Sequence, residues 1–144
     1  MSFHQNNGNC PGCAKIMSRY PGFYLNLGSW FRLFQARYKE AHISCAGRGQ
    51  QDQEALFMRG VTRAKWGHSA HNYNCAIDIF VNGPTLYPVE WFKQILKPEL
   101  PNWVTWYGES GSEFYELPHV EIRGWKELAR QGQVTLVEKS LIMP

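Results

Sequence analysis

The sequence predicts an α+β fold with a small, mostly antiparallel sheet flanked by helices. Segments with helical periodicity and short strand-like runs alternate irregularly along the chain, which favours this fold class. The chain has 144 residues, which suits one compact domain. Its hydrophobic fraction is 44% and its aromatic fraction 15%, so it can bury a core despite its small size.

Four helices are predicted from apolar stripes at helical spacing and from the residues that begin or end them. Ser29 can cap the first helix, and Pro88 is suited to open the third. Gly60 and Gly132 are placed to end the second and the fourth. The predicted helices cover residues 28–39, 50–58, 88–96 and 125–131.

Five strands are predicted between these helices. An Asn-Gly-Pro turn at residues 82–84 closes the second strand, and Pro118 starts the fourth. Residues 61–74 and 108–115 are predicted loops, and Glu116 is assigned to the second loop rather than to a strand. The predicted strands cover residues 42–45, 75–81, 104–107, 119–123 and, at an edge, 134–137.

Residues 1–22 are rich in Asn, Gly and Pro, and we predict an irregular N-terminal arm there, followed by one domain over residues 23–144. The arm contains Cys10-Pro-Gly-Cys13, a CxxC pair that fits half of a zinc site, a redox pair or an incidental turn. A zinc site needs two more ligands; His4 is near, but no second CxxC exists. Cys45 and Cys75 lie in apolar runs and are predicted to be buried free thiols.

Charge and hydropathy exclude several classes of protein. The net charge of +3 is a mild bias, without the basic stripe of a nucleic-acid binder. No apolar run approaches the ~18 residues of a membrane span. The N-terminus lacks the basic-then-apolar pattern of a secretory signal, so we expect synthesis in the cytoplasm without a signal peptide. We expect a monomer.

Two segments contain the residue types that chemistry requires. Strand alternation makes Asp78 a carboxylate inside an apolar strand, which is costly unless it is paired or bound to a metal. His71 precedes this strand closely enough to fold back over it. The second segment, Glu116-Leu-Pro-His119-Val-Glu121, has a histidine and two carboxylates. Two imidazoles and one carboxylate suit a catalytic zinc ion, although Asp78 could instead pair with an arginine, and a lone histidine is more often a hydrogen-bonding residue.

The order of these motifs resembles a known family. Ser69-x-His71-x6-Asp78, followed about 40 residues later by Glu116-x-x-His119, is similar to the D-Ala-D-Ala carboxypeptidase and L-alanyl-D-glutamate peptidase family of zinc enzymes. That family includes many bacteriophage endolysins and the D-Ala-D-Ala dipeptidases of vancomycin resistance. The segments 44–48 and 106–108 also resemble family segments. The resemblance covers roughly residues 28 to 124.

The resemblance implies a role for each matching residue. His71, Asp78 and His119 match the zinc ligands, and Glu116 matches the catalytic base that takes a proton from the attacking water. Arg48 matches the arginine that holds the substrate carbonyl.

Other positions match more than one role or depart from the family pattern. Ser69 matches a residue that contacts the substrate or supports a metal ligand from behind, with loop capping as an equal alternative. Glu121 is expected to have a structural role or to hydrogen-bond a metal ligand rather than to bind metal, and His68 is expected to be solvated. Two positions depart from the pattern: Asn74 stands where glycine is common, and Gly47 where an aromatic residue is common.

The predicted function is therefore a phage endolysin that hydrolyses the L-Ala–D-Glu bond of the peptidoglycan stem peptide with zinc, Zn²⁺, as cofactor. The resemblance implies that a separate holin releases such an enzyme to the wall. A D-Ala-D-Ala carboxypeptidase or dipeptidase is an alternative within the same class. A catalytically silent, zinc-containing module that binds the wall is the alternative from another class, and an interaction element at Cys10 and Cys13 is a third.

Overall fold

A four-stranded antiparallel sheet forms the centre of the computed structural model, which describes residues 4–5, 10–108 and 116–138. The sheet confirms the predicted α+β class. Its strands are β1 (Ala41–Cys45), β2 (Ala76–Val81), β3 (Val104–Tyr107) and β4 (Glu116–Ile122). Their spatial order is β1-β2-β4-β3, so that β2 and β4 are central and β1 and β3 lie at the edges.

Short helices connect and cover these strands. The third predicted helix is observed as α-helical ends around a π-helical turn over Phe92–Leu96. A 3₁₀ turn over Ala70–Tyr73 leads into β2. The α-helices are α1 (Pro11–Ser18), α2 (Leu27–Arg37), α3 (Gln50–Met58), α4 (Val89–Trp91), α5 (Lys97–Glu99) and α6 (Trp125–Arg130). No helix among the described residues is long and apolar enough to cross a membrane.

One face of the two central strands is apolar and belongs to the core. Ile77 of β2 pairs with Val120 of β4, and both are completely buried. Phe31 of α2 and Phe92 belong to the same buried cluster. Because side chains alternate across a strand, the residues next to Ile77 and Val120 face the other side of the sheet, where the candidate site lies.

The N-terminal segment corrects one prediction, because Pro11–Ser18 form helix α1 instead of an irregular arm. Pro11 occupies a first-turn position that proline favours, and the sulfur of Cys10 accepts the N–H of Cys13 as a cap. Cys13 and Met17 are buried. The Asn, Gly and Pro content of the segment concealed a helix that is stabilised by packing.

Two further boundaries differ from the predictions. Residues 134–137 form no strand; the N–H of Val137 instead donates to the carbonyl of Asn72 at 2.7 Å, in the 3₁₀ turn. Glu116 belongs to β4 and pairs with Tyr107, although we assigned it to a loop. Most of that predicted loop, residues 109–115, lies outside the described part of the chain.

Candidate active site

Asp78 lies at the centre of the candidate site, on the face of the sheet opposite the apolar core. The register places it across from His119 on β4 and across from Cys45 on β1. A β-bulge between Ile43 and Cys45 shifts the β1 register at this point. Three strands therefore bring a carboxylate, an imidazole and a thiol together.

His71 reaches the same place from the 3₁₀ turn that precedes β2. Ser69 caps this turn: its hydroxyl accepts the N–H of His71 at 3.3 Å, and Asn72 completes the capping box. Ser69 therefore acts as a cap, one of the two roles expected for it, and it also lines the open cleft at the site. The cap fixes the backbone direction from which the His71 ring enters the site.

Both ring nitrogens of each histidine have hydrogen-bonding partners. His71 Nδ1 is 2.7 Å from the carbonyl oxygen of Ala46, and its Nε2 is 3.2 Å from Asp78 Oδ1. His119 Nδ1 is 3.1 Å from the same Asp78 oxygen, and its Nε2 is 2.7 Å from Glu121 Oε1. All four partners are acceptors, so four hydrogen bonds require a proton on each nitrogen, which makes both rings imidazolium ions in the metal-free protein.

The charges around them stabilise this protonation. Burial disfavours the charged ring of His71, but Asp78 and Cys45 outweigh it and raise its pKa to about 10. Burial acts the same way on His119, and hydrogen bonds to Asp78 and Glu121 raise its pKa to about 9. In the metal-free protein, two imidazolium ions thus lie beside the carboxylates of Asp78 and Glu121.

The pKa values of Asp78 and Glu116 are shifted in opposite directions. Burial acts to raise the pKa of Asp78, but the two imidazolium ions outweigh it and hold that pKa well below its usual range. Burial raises the pKa of Glu116 above its usual value, and the charge on His119 offsets the rise only in part. Glu116 is therefore the more basic of the two carboxylates.

A bulge in β4 explains how Glu116 enters the site. The pairing of β3 with β4 jumps from Trp106–Val120 to Tyr107–Glu116, which leaves three residues of β4 without a partner on β3. Pro118, which has no N–H to donate, is one of them.

The bulge brings together two residues that a regular strand would separate. Residues three apart in a strand face opposite sides. Here one atom each from Glu116, His119 and Asp78 lies within 4.8 Å of the other two. The residues that match the catalytic base and a zinc ligand, Glu116 and His119, thus lie together, and the bulge rather than a loop joins them.

Cys45 is the residue that sequence analysis missed. It is only partly buried, and its sulfur lies 3.7 Å from His71 Nδ1. Burial acts to raise the pKa of this thiol, but His71 and Arg48 outweigh burial and the pKa is lowered. Its position opposite Asp78 would have indicated a place in the site. That position depends on the bulged register between β1 and β2. Cys75, in contrast, is buried as predicted.

Arg48 also lies in the site, as predicted. Its guanidinium donates to Gln53 Oε1 at 3.0 Å and to Cys45 Sγ at 3.3 Å, and it is 3.8 Å from Asp78 Oδ2. These contacts hold the cation beside the carboxylate, although neither side chain is fully buried.

Gly47 and Asn74, the two positions that depart from the family pattern, lie next to each other. Asn74 adopts the left-handed conformation, with φ of 56°, which asparagine tolerates. Its amide donates to the carbonyl of Tyr20. A Cβ at Gly47 would lie 2.7 Å from Tyr20 Cβ and 2.8 Å from Asn74 Oδ1. The N-terminal segment therefore occupies the space that a larger residue at position 47 would need.

An open cleft of about 1350 Å³ exposes the site. Its walls include all six residues predicted for the site, together with Tyr107, Trp125 and Arg63. The six are Arg48, Ser69, His71, Asp78, Glu116 and His119. His68 also borders the cleft and is exposed, as expected.

The donor atoms have the chemistry of a divalent-cation site. They form two overlapping groups that share Asp78: one with Cys45 and His71, the other with Glu116 and His119. The two imidazolium ions together carry the charge of one divalent cation, so an ion could replace two protons without changing the net charge. These residues therefore fit a zinc ion.

The protein is a small α+β domain with a cluster of potential metal ligands on the face of its sheet that is open to solvent. A solved structure with a similar fold is that of the L-Ala D-Glu endopeptidase ChiX of Serratia marcescens. The likeness has a TM-score of 0.59 at 19% sequence identity, and it covers 80% of this chain and 91% of that one. No protein-family model matches the sequence, and no curated protein does.

Proposed function

We propose that the protein is a zinc-dependent peptidase that cleaves the L-Ala–D-Glu bond of the peptidoglycan stem peptide. One observation carries the proposal: two histidine rings share one carboxylate oxygen beside Glu116, on the wall of an open cleft. The likeness in fold to an L-Ala D-Glu endopeptidase supports the choice of substrate and of bond.

His71, Asp78 and His119 would hold the zinc ion. His71 Nδ1 is bound to the carbonyl of Ala46, which directs its Nε2 toward Asp78, and Glu121 orients His119 in the same way. A bound zinc ion supplies Lewis acidity, which makes water more acidic and a peptide carbonyl more electrophilic.

Glu116 transfers the proton. It accepts a proton from the attacking water and delivers it to the nitrogen that leaves with the D-Glu fragment. Its raised pKa suits both steps, because a stronger base accepts the proton more readily and still releases it to an amine.

Arg48 provides a fixed positive charge. Gln53 and Cys45 hold its guanidinium at the edge of the cleft, so that it is oriented before the substrate arrives. There it donates a hydrogen bond to the carbonyl oxygen of the scissile bond, where negative charge develops during attack.

Digestion of purified peptidoglycan tests the proposal. The zinc-loaded protein should release peptides that begin with D-Glu and leave L-Ala on the glycan, and the reaction should stop with a chelator and resume with zinc. Mass spectrometry identifies the new ends. Glu116→Gln protein, which should bind zinc without turnover, is the matched control.

Other products would change the assignment. Free D-Ala, or D-Ala-D-Ala, would indicate a carboxypeptidase or dipeptidase on the same site. A folded, zinc-loaded protein that binds the wall and cleaves nothing would indicate a silent binding module.

The proposal extends to a phage endolysin that reaches the wall after holin-type release. Its support is the resemblance of the motifs described above. Expression in bacteria with and without a co-expressed holin tests it, because lysis should require both proteins. Lysis without the holin would overturn this part alone.

A further inference from the structure

A second group of metal-type side chains lies outside the cleft, around the start of α1. One atom from each of four residues lies within 4.8 Å of the other three: His4, Cys10, Cys13 and His42. None of the four lines the cleft. They come from the N-terminal segment, from the cap and first turn of α1, and from the edge strand β1, so their convergence is a tertiary feature.

Three sulfur-to-nitrogen distances in this group match those of a tetrahedral zinc site. With a Zn–S distance of ~2.3 Å and a Zn–N distance of ~2.0 Å, a tetrahedral zinc ion separates sulfur from nitrogen by about 3.5 Å. His4 Nδ1 lies 3.3 Å from Cys10 Sγ and 3.4 Å from Cys13 Sγ. His42 Nδ1 lies 3.5 Å from Cys13 Sγ.

Both sulfurs receive hydrogen bonds that suit thiolates. Cys10 Sγ accepts the N–H groups of Gln5 and Cys13, each at 3.4 Å. Cys13 Sγ accepts the N–H of Ile43 at 3.4 Å and the side-chain amide of Gln35 at 3.3 Å. Such donors stabilise a metal-bound thiolate and fix its direction.

The alternative uses of a CxxC pair fit less well. A redox-active pair exposes its attacking thiol, whereas Cys10 is 3% and Cys13 1% exposed. Both are free thiols in the structure. A disulfide also gives no reason for two imidazoles to converge on the same sulfurs.

We infer that His4, Cys10, Cys13 and His42 form a closed structural zinc site, separate from the cleft. Two thiolates and two imidazoles complete a tetrahedron and leave no position for water, so the site has no hydrolytic role. It would attach the N-terminal segment and α1 to β1. The other end of β1 contains Cys45, and the next residue is Ala46, whose carbonyl contacts His71.

Metal content tests this inference without reference to activity. The full chain with His71→Ala and His119→Ala, which removes the cleft site, should retain one zinc equivalent after gel filtration in zinc-free buffer. Adding Cys10→Ser and Cys13→Ser should remove that equivalent. Adding Cys75→Ser instead should not, because this buried cysteine is outside the group.

Cobalt substitution identifies the ligands if a serine variant fails to fold. The His71→Ala, His119→Ala chain loaded with Co²⁺ should show a sulfur-to-cobalt charge-transfer band and the visible spectrum of a tetrahedral ion. Replacing the partly exposed His4 by Ala should alter this visible spectrum while the charge-transfer band remains. Cys45→Ser should leave both features unchanged, which excludes the thiol beside Asp78.

Two results would overturn the inference. One is a His71→Ala, His119→Ala protein that is folded and holds no zinc. The other is a Cys10–Cys13 disulfide in the purified chain, seen as protection of both thiols from alkylation before reduction. The zinc equivalent is counted in a chain that lacks the cleft ligands. The result is therefore independent of whether the proposed peptidase function is correct.

Discussion

Glu116 combines a raised pKa with a position next to His119 and Asp78. Replacing it by Gln keeps its shape and removes its basicity. We expect Glu116→Gln to fold and bind zinc normally while kcat falls by about 10² to 10⁴, the usual contribution of a general base. Peptidoglycan digestion and zinc analysis on the same sample measure both effects.

The matched control is Glu127→Gln. Glu127 is an exposed carboxylate on α6 that pairs with Arg130, and it does not line the cleft. It should keep the wild-type rate. A Glu116→Gln enzyme that also kept that rate would show that another group takes the proton.

The histidine pair predicts how the metal-free protein responds to pH. The pKa values of His71 and His119 are raised from 6.5 to about 10 and about 9. Groups with a raised pKa in the folded state stabilise it fully below pH 6.5 and lose that contribution as the pH rises through the folded values. The Tm of the metal-free protein should therefore fall between pH 6.5 and 9.

Bound zinc should remove this dependence, because its ligands are already deprotonated. Calorimetry of metal-free and zinc-loaded protein at several pH values compares the two. The double variant His71→Gln, His119→Gln should lack the decline. A Tm of the metal-free wild type that rises with pH over this range would contradict the charge assignment.

At this scale the sequence predicted most of the site but not all of it. Strand alternation and spacing made Asp78, His71 and His119 candidates, and the resemblance to the family assigned them as zinc ligands. Their side chains meet in the structure. Cys45 was not predicted, because its approach to Asp78 depends on a bulge in β1 that no local pattern encodes.

The bulge of β4 is the element that carries Glu116, and Trp106 supports it. The indole N–H of Trp106 donates to the carbonyl of Leu117, inside the bulge, at 2.8 Å. A Cβ at Gly108 would lie only 1.9 Å from the indole ring. We expect Gly108→Ala to displace the ring, destabilise the protein by about 1–3 kcal/mol as overpacking does, and lower turnover.

Gly83→Ala is the control for this substitution. A Cβ at Gly83 would meet nothing within 4 Å, so the change should be nearly neutral. Chemical denaturation and digestion assays compare the two variants. If Gly108→Ala were as stable and active as Gly83→Ala, the packing of Trp106 would not support the bulge.

The predictable helices and strands were those with a clear apolar periodicity or with residues that mark where an element begins or ends. Residues 50–58 match α3, and residues 104–107 match β3. Helix α1 was missed because its sequence has weak helical propensity, and burial of Cys13 and Met17 stabilises it instead. The predicted strand at residues 134–137 was wrong because its backbone bonds to a turn.

For the whole molecule, zinc should act as a stabilising ligand. A ligand at 100 times its Kd stabilises the folded state by about 2.7 kcal/mol per site. A chain of this size shifts by roughly 2–4 °C for each kcal/mol. Saturating zinc at one site should raise the Tm of the metal-free protein by several degrees, and magnesium at the same concentration should not.

Scanning calorimetry during stepwise addition of zinc measures this shift. Occupation of two sites with different affinities should raise the Tm in two stages. The His71→Ala, His119→Ala chain should show one stage. An unchanged Tm in the wild-type protein would contradict metal binding at either site.

The N-terminal segment belongs to the same folded unit as the site. Tyr20 contacts Gly47 and Asn74, the two positions that depart from the family pattern. The sequence alone identified both departures but gave no reason for them. Their reason is tertiary, since the segment that they accommodate comes from outside the stretch that resembles the family.

The contact of Ile43 with Cys13 has a consequence for solubility. β1 is an edge strand, and an edge strand offers unpaired N–H groups to which another chain can add a strand. Here the sulfur of Cys13 occupies the N–H of Ile43, and α1 contacts this strand. If α1 detached from β1, this edge strand would be exposed to other chains. Removal of the metal should therefore cause self-association, which light scattering detects.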